Sequence, residues 1–346
     1  MGGCYSSDIS FEGKVHDVEC ECNHNNDRKQ GGGRVMLKGS SEIVSMYSQK
    51  GTKDVNQDAM TVWEDFAGKN DMVFCGVFDG HGPLGHKFAR CIRDNLPSKL
   101  SKSIKQLQEK VCKQCSTNAT DGSSHSNDNV EDDQNMSFAS CEEIFMRCFS
   151  EMDENLAKKI DADGFRGGST AVTLIKQGNQ LIMGNLGDSR VVLCRRTNDN
   201  HLVPVQLTID LTPDIPCEAL RIINCGGRIF ATKQDPSVTR VWTPKRDSPG
   251  LAMSRAFGNF FLKDHGVSSV PDVSYRKLTK QDEFVVLASD GIWDVLTNSE
   301  VINIVALAPK RSMAAKLLVK RAVQAWKHKY GIMVDDCTAI CLFLKD

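Results

Sequence analysis

Four short apolar stretches restrict this chain more tightly than anything else in its sequence. They are residues 72–78 (MVFCGVF), 181–183 with a partner at 191–194 (LIM and VVLC), 284–288 (FVVLA) and 338–344 (TAICLFL). Each has the length of a strand, and unbroken apolar character over that length means burial on both faces. Helical patterns lie between them. In SCEEIFMRCFSEMDENLAKKI, Ser140 and Glu143 have capping-box spacing, and Ile144, Phe145, Cys148, Phe149, Met152 and Leu156 share one helical face. Thr297 and Glu300 repeat the box, and CEALRIINCGG is expected to stop at Gly226. LIMGNLGDSRVVLC is expected to be a hairpin with Gly187 and Asp188 at its tip. Strands and helices alternate irregularly, which predicts an α+β architecture: a largely antiparallel sheet core with helices outside it.

Residues 1–38 read as a flexible polar leader, and 115–137 (CSTNATDGSSHSNDNVEDDQNMS) as a disordered insertion in a single domain spanning 39–346. Lys and Arg total 43 against 44 Asp and Glu, so the chain lacks the basic surplus of a general nucleic-acid binder. No run of eighteen apolar residues exists to span a membrane. Fourteen cysteines are scattered, several inside apolar runs, as expected of free thiols in a reducing compartment. Cys20, Cys22 and His24 lack a fourth ligand at zinc spacing. The opening MGGCYS presents Gly2 and Ser6 as an N-myristoylation pattern, with Cys4 placed for palmitate. One myristoyl chain binds membranes marginally, and no Lys or Arg stands among the first ten residues, so stable anchoring requires a second acyl chain, on Cys4. The expectation is an acylated, peripherally bound protein on the cytosolic face of the plasma membrane, or otherwise one in the cytoplasm or nucleus.

The acids are arranged around the apolar runs. Asp79 follows 73–78 directly; Asp290 follows FVVLAS, with Asp294 one turn on; Asp335 and Asp336 precede the last run; Asp188 sits at the expected hairpin tip. Each acid alone is compatible with a turn former. Together, acids leaving two strands and entering a third that runs antiparallel meet at one edge. Such a cluster beside an apolar core needs a cation, and Mg²⁺ or Mn²⁺ suits oxygen ligands. Gly80 leaves its backbone carbonyl open to approach.

The segments GVFDGHG, GGSTAV, GNLGDSRVVL, LAMSRAFG and LASDGIWDVL occur in this order, with VNQDAM before and DDCTAICLFL after. Together they resemble the signature segments of the metal-dependent Ser/Thr phosphatases of the protein phosphatase 2C family, in a plant-like style, from about residue 42 onward. The resemblance implies a four-layer αββα sandwich of two antiparallel sheets. It implies a monomeric enzyme acting on phosphorylated proteins, and two Mg²⁺ or Mn²⁺ ions held by Asp79, the Gly80 carbonyl, Asp290 and Asp336. Asp188 and Asp294 resemble the ligands of a third metal in some relatives. By the same resemblance, hydroxide attacks phosphorus in line, His81 is the general acid, Asp58 orients water, and Lys53 grips the substrate phosphate where many relatives carry Arg. Pro83, Cys337 and Asn259 depart from common family residues. A catalytically weak relative serving as a phosphoprotein-binding module is the alternative; it is expected to have lost one of the ligand acids.

Overall fold

The computed structural model describes residues 27–30, 33–118, 137–159 and 166–345. Gly2, Cys4, the Cys20, Cys22 and His24 group, and the insertion from 119 to 136 lie outside the described residues. In chain order, the strands of the two large sheets begin with β1 (Asp27–Gln30), β2 (Gly33–Met36), β3 (Gly39–Ser40), β4 (Val44–Gln49), β5 (Ala59–Glu64) and β6 (Met72–Phe78). They continue with β7 (Ala171–Gln177), β8 (Gln180–Leu186), β9 (Arg190–Arg196), β10 (Leu202–Gln206), β11 (Asp272–Lys277), β12 (Asp282–Ala288) and β13 (Cys337–Phe343). The longer helices are α1 (Gly85–Asn118), α2 (Phe138–Lys159), α3 (Pro216–Asn224), α4 (Asn298–Ala306) and α5 (Ala314–Tyr330).

One sheet has the order β1-β2-β5-β6-β7-β8-β11 and the other β10-β9-β12-β13-β4-β3. Neighbouring strands in both run antiparallel. The sheets face each other across a core that includes Val62, Val77, Leu174 and Leu181 from the first and Val191, Val285, Leu287 and Ile340 from the second. Side chains of opposite parity point outward. Phe74, Phe78 and Ile175 pack beneath Phe88, Ile92, Phe145 and Phe149 of α1 and α2. Val192, Val286, Ala339 and Cys341 pack beneath Ile302, Leu318, Ala322 and Trp326 of α4 and α5. Both faces of the central strands are therefore covered, which is why their sequences are apolar without alternation. The result is the four-layer αββα sandwich.

Three local expectations change. β8 and β9 are not a hairpin: β8 pairs with β7 and β11 in one sheet, β9 with β10 and β12 in the other. Gly187 (φ 111°) and Asp188 carry the chain from one sheet across to its partner. Helix α2 begins before Ser140, and Ser137 Oγ accepts from the Ser140 N–H at 3.2 Å. The leader is also shorter than residue 38: β2 pairs with β5, and Met36 is buried between the sheets. By contrast, Thr297 and Glu300 form the expected capping box at the start of α4, and Gly226 (φ 75°) follows the end of α3.

Between β10 and β11, α3 and the hairpin of 228–231 with 239–242 form a small lobe around Ile222, Val241, Leu251 and Leu262. Trp242 is a core residue of this lobe. It stacks on Phe230 with ring centroids 4.8 Å apart and donates from Nε1 to the Phe230 carbonyl at 2.9 Å.

Candidate active site

The ends of β6 and β12 and the start of β13 lie at one rim of the sandwich because β12 and β13 are antiparallel neighbours, with Ala288 opposite Ala339. That registry brings together acids more than two hundred residues apart in sequence. Asp79 is buried, its backbone tied to Thr170 both ways: Asp79 N donates to Thr170 Oγ1 at 3.1 Å, and Thr170 N to the Asp79 carbonyl at 2.9 Å. Asp290 opens a helical turn directly after β12 and stands within hydrogen-bonding reach of Asp79. Burial first, then Asp290 and Asp58, push the Asp79 carboxyl well above the usual carboxylate range. Burial, then Asp335 and Asp294, do the same to Asp290. The two DG pairs share a steric reason. A Cβ on Gly80 would collide with the Gly85 and Gln57 carbonyls, and one on Gly291 with the Asp336 carbonyl.

Asp336 stands at the edge of this cluster, beside Asp58 and Lys53. Its Oδ1 accepts from Gly51 N at 2.8 Å and its Oδ2 from Gln57 N at 2.9 Å, so both oxygens tie the loop after β4 to the start of β13. Asp335 takes the place expected for it. Asp335 is the foremost charged neighbour of both Asp290 and Asp294, and its Oδ1 lies 2.6 Å from Lys53 Nζ. The expectation for Asp336 is corrected on this ground: each of its oxygens is engaged by a loop N–H, while Asp335 is the foremost charge against Asp290 and Asp294.

Lys53 is therefore a cation lodged among acids, also 3.9 Å from Asp336 Oδ2. Burial alone lowers its pKa, but Asp335, Asp79 and Asp290 outweigh burial and raise it. Asp58 is buried beside the same rim and accepts from Ser289 Oγ at 2.8 Å, with its Oδ1 left without a partner. Burial, then Asp336, raises its pKa to about 6. Asp188, at the crossing between sheets, also has a buried, unpartnered Oδ1, and burial, then Asp210 and Asp294, raises its pKa to about 7. Asp294 is exposed and is raised by burial of its carboxyl and by Asp335.

His81, next to Gly80, is buried, and its Nε2 lies 2.7 Å from Asn259 Oδ1. The Asn259 amide nitrogen donates to the Arg166 carbonyl at 3.2 Å, so its oxygen faces the ring and His81 carries its proton on Nε2. Nδ1 has no protein partner. Burial outweighs the Asn259 hydrogen bond and lowers the His81 pKa to about 4.

The donor set is all oxygen, contains orphaned buried carboxylate atoms, and already draws in one ammonium group. These residues fit hard divalent cations. Among the described residues, no three His, Cys, Asp or Glu side chains close around a single point.

The sequence profile described as "Protein phosphatase 2C" matches residues 44–328. "Probable protein phosphatase 2C 33" of Arabidopsis thaliana is 49% identical over 341 residues, covering 90% of this chain and 69% of the relative. "Probable protein phosphatase 2C 14" of Oryza sativa subsp. japonica is 48% identical over 319 residues, covering 90% and 62%. The chain thus spans about two thirds of the length of such relatives. Among solved structures, the serine-threonine phosphatase 2C from Toxoplasma gondii shares the fold, with a TM-score of 0.76 at 23% identity over 90% of this chain and 99% of that one.

Proposed function

This chain belongs to the protein phosphatase 2C family of Ser/Thr protein phosphatases, and on that premise we propose that it hydrolyses phosphoserine and phosphothreonine in proteins with Mg²⁺ or Mn²⁺ as cofactor. The observation that carries the reading is the convergence of the buried carboxyls of Asp79 and Asp290 from the ends of strands in the two facing sheets, with Asp335 the foremost charge against Asp290. Asp79, the Gly80 carbonyl, Asp290 and Asp335 would hold two ions, and Asp188 with Asp294 a third. When bound, such ions supply positive charge against phosphoryl oxygens and make water a stronger nucleophile near neutral pH.

The chain's own residues do the rest. Lys53 sits on a loop clamped to β13, where Thr52 N and Thr52 Oγ1 both donate to the Val334 carbonyl at 2.8 and 3.0 Å. From that anchored backbone its flexible stem transfers the ammonium from Asp335 to a substrate phosphate as a compact charge. Asp58, held by Ser289, accepts a proton from water through its free Oδ1. His81 offers Nδ1 to the departing Ser or Thr oxygen, with Asn259 fixing the ring from the other side. A phosphate dianion beside the ring favours its protonated form.

The reading predicts phosphate release from a phosphothreonine peptide in the presence of Mn²⁺, loss in EDTA, and resistance to okadaic-acid-type inhibitors. Asp79→Asn is expected to lower kcat/KM by roughly a thousandfold. Turnover by that variant at the wild-type rate would exclude the site. The acylation pattern supports a further reading, peripheral association with the cytosolic face of a membrane through Gly2 and Cys4. Gly2→Ala should then release the protein into the soluble fraction on cell fractionation, and an unchanged distribution would refute it.

A further inference from the structure

The outer face of α5 carries charge of one sign. From residue 301 to 334 the chain contains seven Lys or Arg and no Asp or Glu, although the whole chain is balanced at 43 against 44. Burial of Ala315, Leu318, Val319, Ala322, Val323 and Trp326 against the second sheet fixes which face of α5 points out. At 3.6 residues per turn, Lys316, Lys320 and Lys327 then fall within about 40° of one another on the exposed arc, with Arg321 and His328 beside them. The three lysines form a ridge about 16 Å long. Lys310 and Arg311 extend it at the N-terminal end. Among the described residues, no salt bridge uses Lys316, Lys320, Arg321 or Lys327. Lys316 lies over the Tyr47 ring at 5.8 Å and Arg311 over Phe343 at 5.1 Å, contacts that pack the stems and leave the charges at the surface.

Large aliphatic side chains bracket the ridge. Leu307 (79% exposed) and Met313 (47%) precede α5, and Ile332 (85%) and Met333 (40%) follow it. Cations flanked by exposed aliphatics match the two layers of a bilayer surface, anionic headgroups and the acyl boundary beneath them. A nucleic-acid backbone would use the cations and leave the aliphatics in water. We propose that the outer face of α5, with its two aliphatic ends, is a docking surface for an anionic lipid bilayer. It is a folded-domain element separate from acylation at Gly2 and Cys4, and it supplies the positive charge missing from the first ten residues. Because Ile332 and Met333 lead directly into Val334 and Asp335, docking sets the catalytic rim beside the membrane. Phosphorylated segments emerging close to the bilayer are then the substrates within reach.

The full chain carrying Gly2→Ala, which cannot be myristoylated, is the protein to test, so that failure here is distinguishable from failure of the acylation reading. It should sediment with vesicles of phosphatidylcholine plus phosphatidylserine at low salt, dissociate at high salt, and ignore phosphatidylcholine alone. Lys316→Glu, Lys320→Glu and Lys327→Glu together should weaken vesicle binding by about tenfold or more while leaving turnover of a soluble phosphopeptide unchanged. That unchanged turnover also reports that the variant is folded. Leu307→Ser with Met313→Ser should weaken binding less and leave a more strongly salt-dependent remainder. Equal binding to neutral vesicles, wild-type binding by the triple variant, or tighter binding to duplex DNA than to the anionic vesicles would each overturn the proposal.

Discussion

Two regions of this molecule bury carboxylates, and they do so in opposite ways. In the lobe beside the rim, Glu218 is almost wholly inaccessible, yet every oxygen is engaged. Arg255 Nη2 donates to its Oε1 at 2.6 Å, Arg221 Nη2 to Oε2 at 2.7 Å, and Ser254 Oγ to Oε2 at 2.6 Å. Burial works against the charge, but these donors hold the Glu218 pKa down at about 2. At the rim, Asp79, Asp290, Asp58 and Asp188 are raised instead, first by burial and then by neighbouring carboxylates. The lobe carboxylate is complete within the protein. The rim is complete only with a partner from outside, and that incompleteness is what a binding site requires.

The sharpest way to break the contrast is to neutralise each kind of acid in turn. Asp335→Asn should cost about a thousandfold in kcat/KM with Mn²⁺. The same change should raise stability in EDTA, since it removes a like charge. Asp336→Asn should instead lose about 1–2 kcal/mol of stability, through one broken backbone contact to Gly51 or Gln57, with a far smaller loss of turnover. Equal kinetic losses from the two variants would show that the adjacent acids are not divided as described.

Next in size is Glu218→Gln, which leaves Arg221 and Arg255 without their shared counter-charge. Chemical denaturation should report about 3 kcal/mol of lost stability. Activity measured well below the transition should persist, because Glu218 touches none of the rim.

The smallest effect, and the one that separates the regions most cleanly, is in pH. Glu218 has a folded pKa below its unfolded value, so its contribution is present above about pH 4.5 and is lost as pH falls through about 2. Asp58 and Asp188 have folded pKa values above their unfolded ones. Their neutral forms favour the fold, and stability is lost as pH rises from about 4 through about 6 and 7. In EDTA, thermal stability should therefore peak on the acid side of neutrality. Saturating Mn²⁺ should flatten the alkaline fall by about 1–2 kcal/mol and move the optimum toward neutral pH. A metal-free optimum already at neutral pH would contradict the raised carboxylates.

The layers of the fold are legible in the sequence because β6, β9, β12 and β13 are apolar on both faces, and the helical stripe from Ile144 to Leu156 shows what covers one sheet. The crossing at Gly187 and Asp188 is not legible. Two apolar runs joined by a Gly-Asp pair look locally like a hairpin, and only pairing with β7, β11, β10 and β12 pulls them into different sheets. Asp79, Gly80 and Asp290 can be read from their positions at the ends of apolar runs. The choice between Asp335 and Asp336 cannot be read that way, since either is an acid before a strand. Alternation held a usable signal: Asp336 has the parity of Ile340 and Leu342, which face between the sheets, whereas Asp335 has that of Ala339 and Cys341. The supporting partners Ser289 and Asn259 carry no comparable mark, because their roles arise from contacts over 231 and 178 residues.

β13 does not join its sheet at the margin but lies between β12 and β4, two strands more than two hundred residues apart in sequence. It gives β12 and β4 a common neighbour, and the residues at its entrance carry Asp335 to the rim and hold Gly51 and Gln57. Insertion of β13 therefore couples the assembly of the second sheet to the assembly of the acid rim.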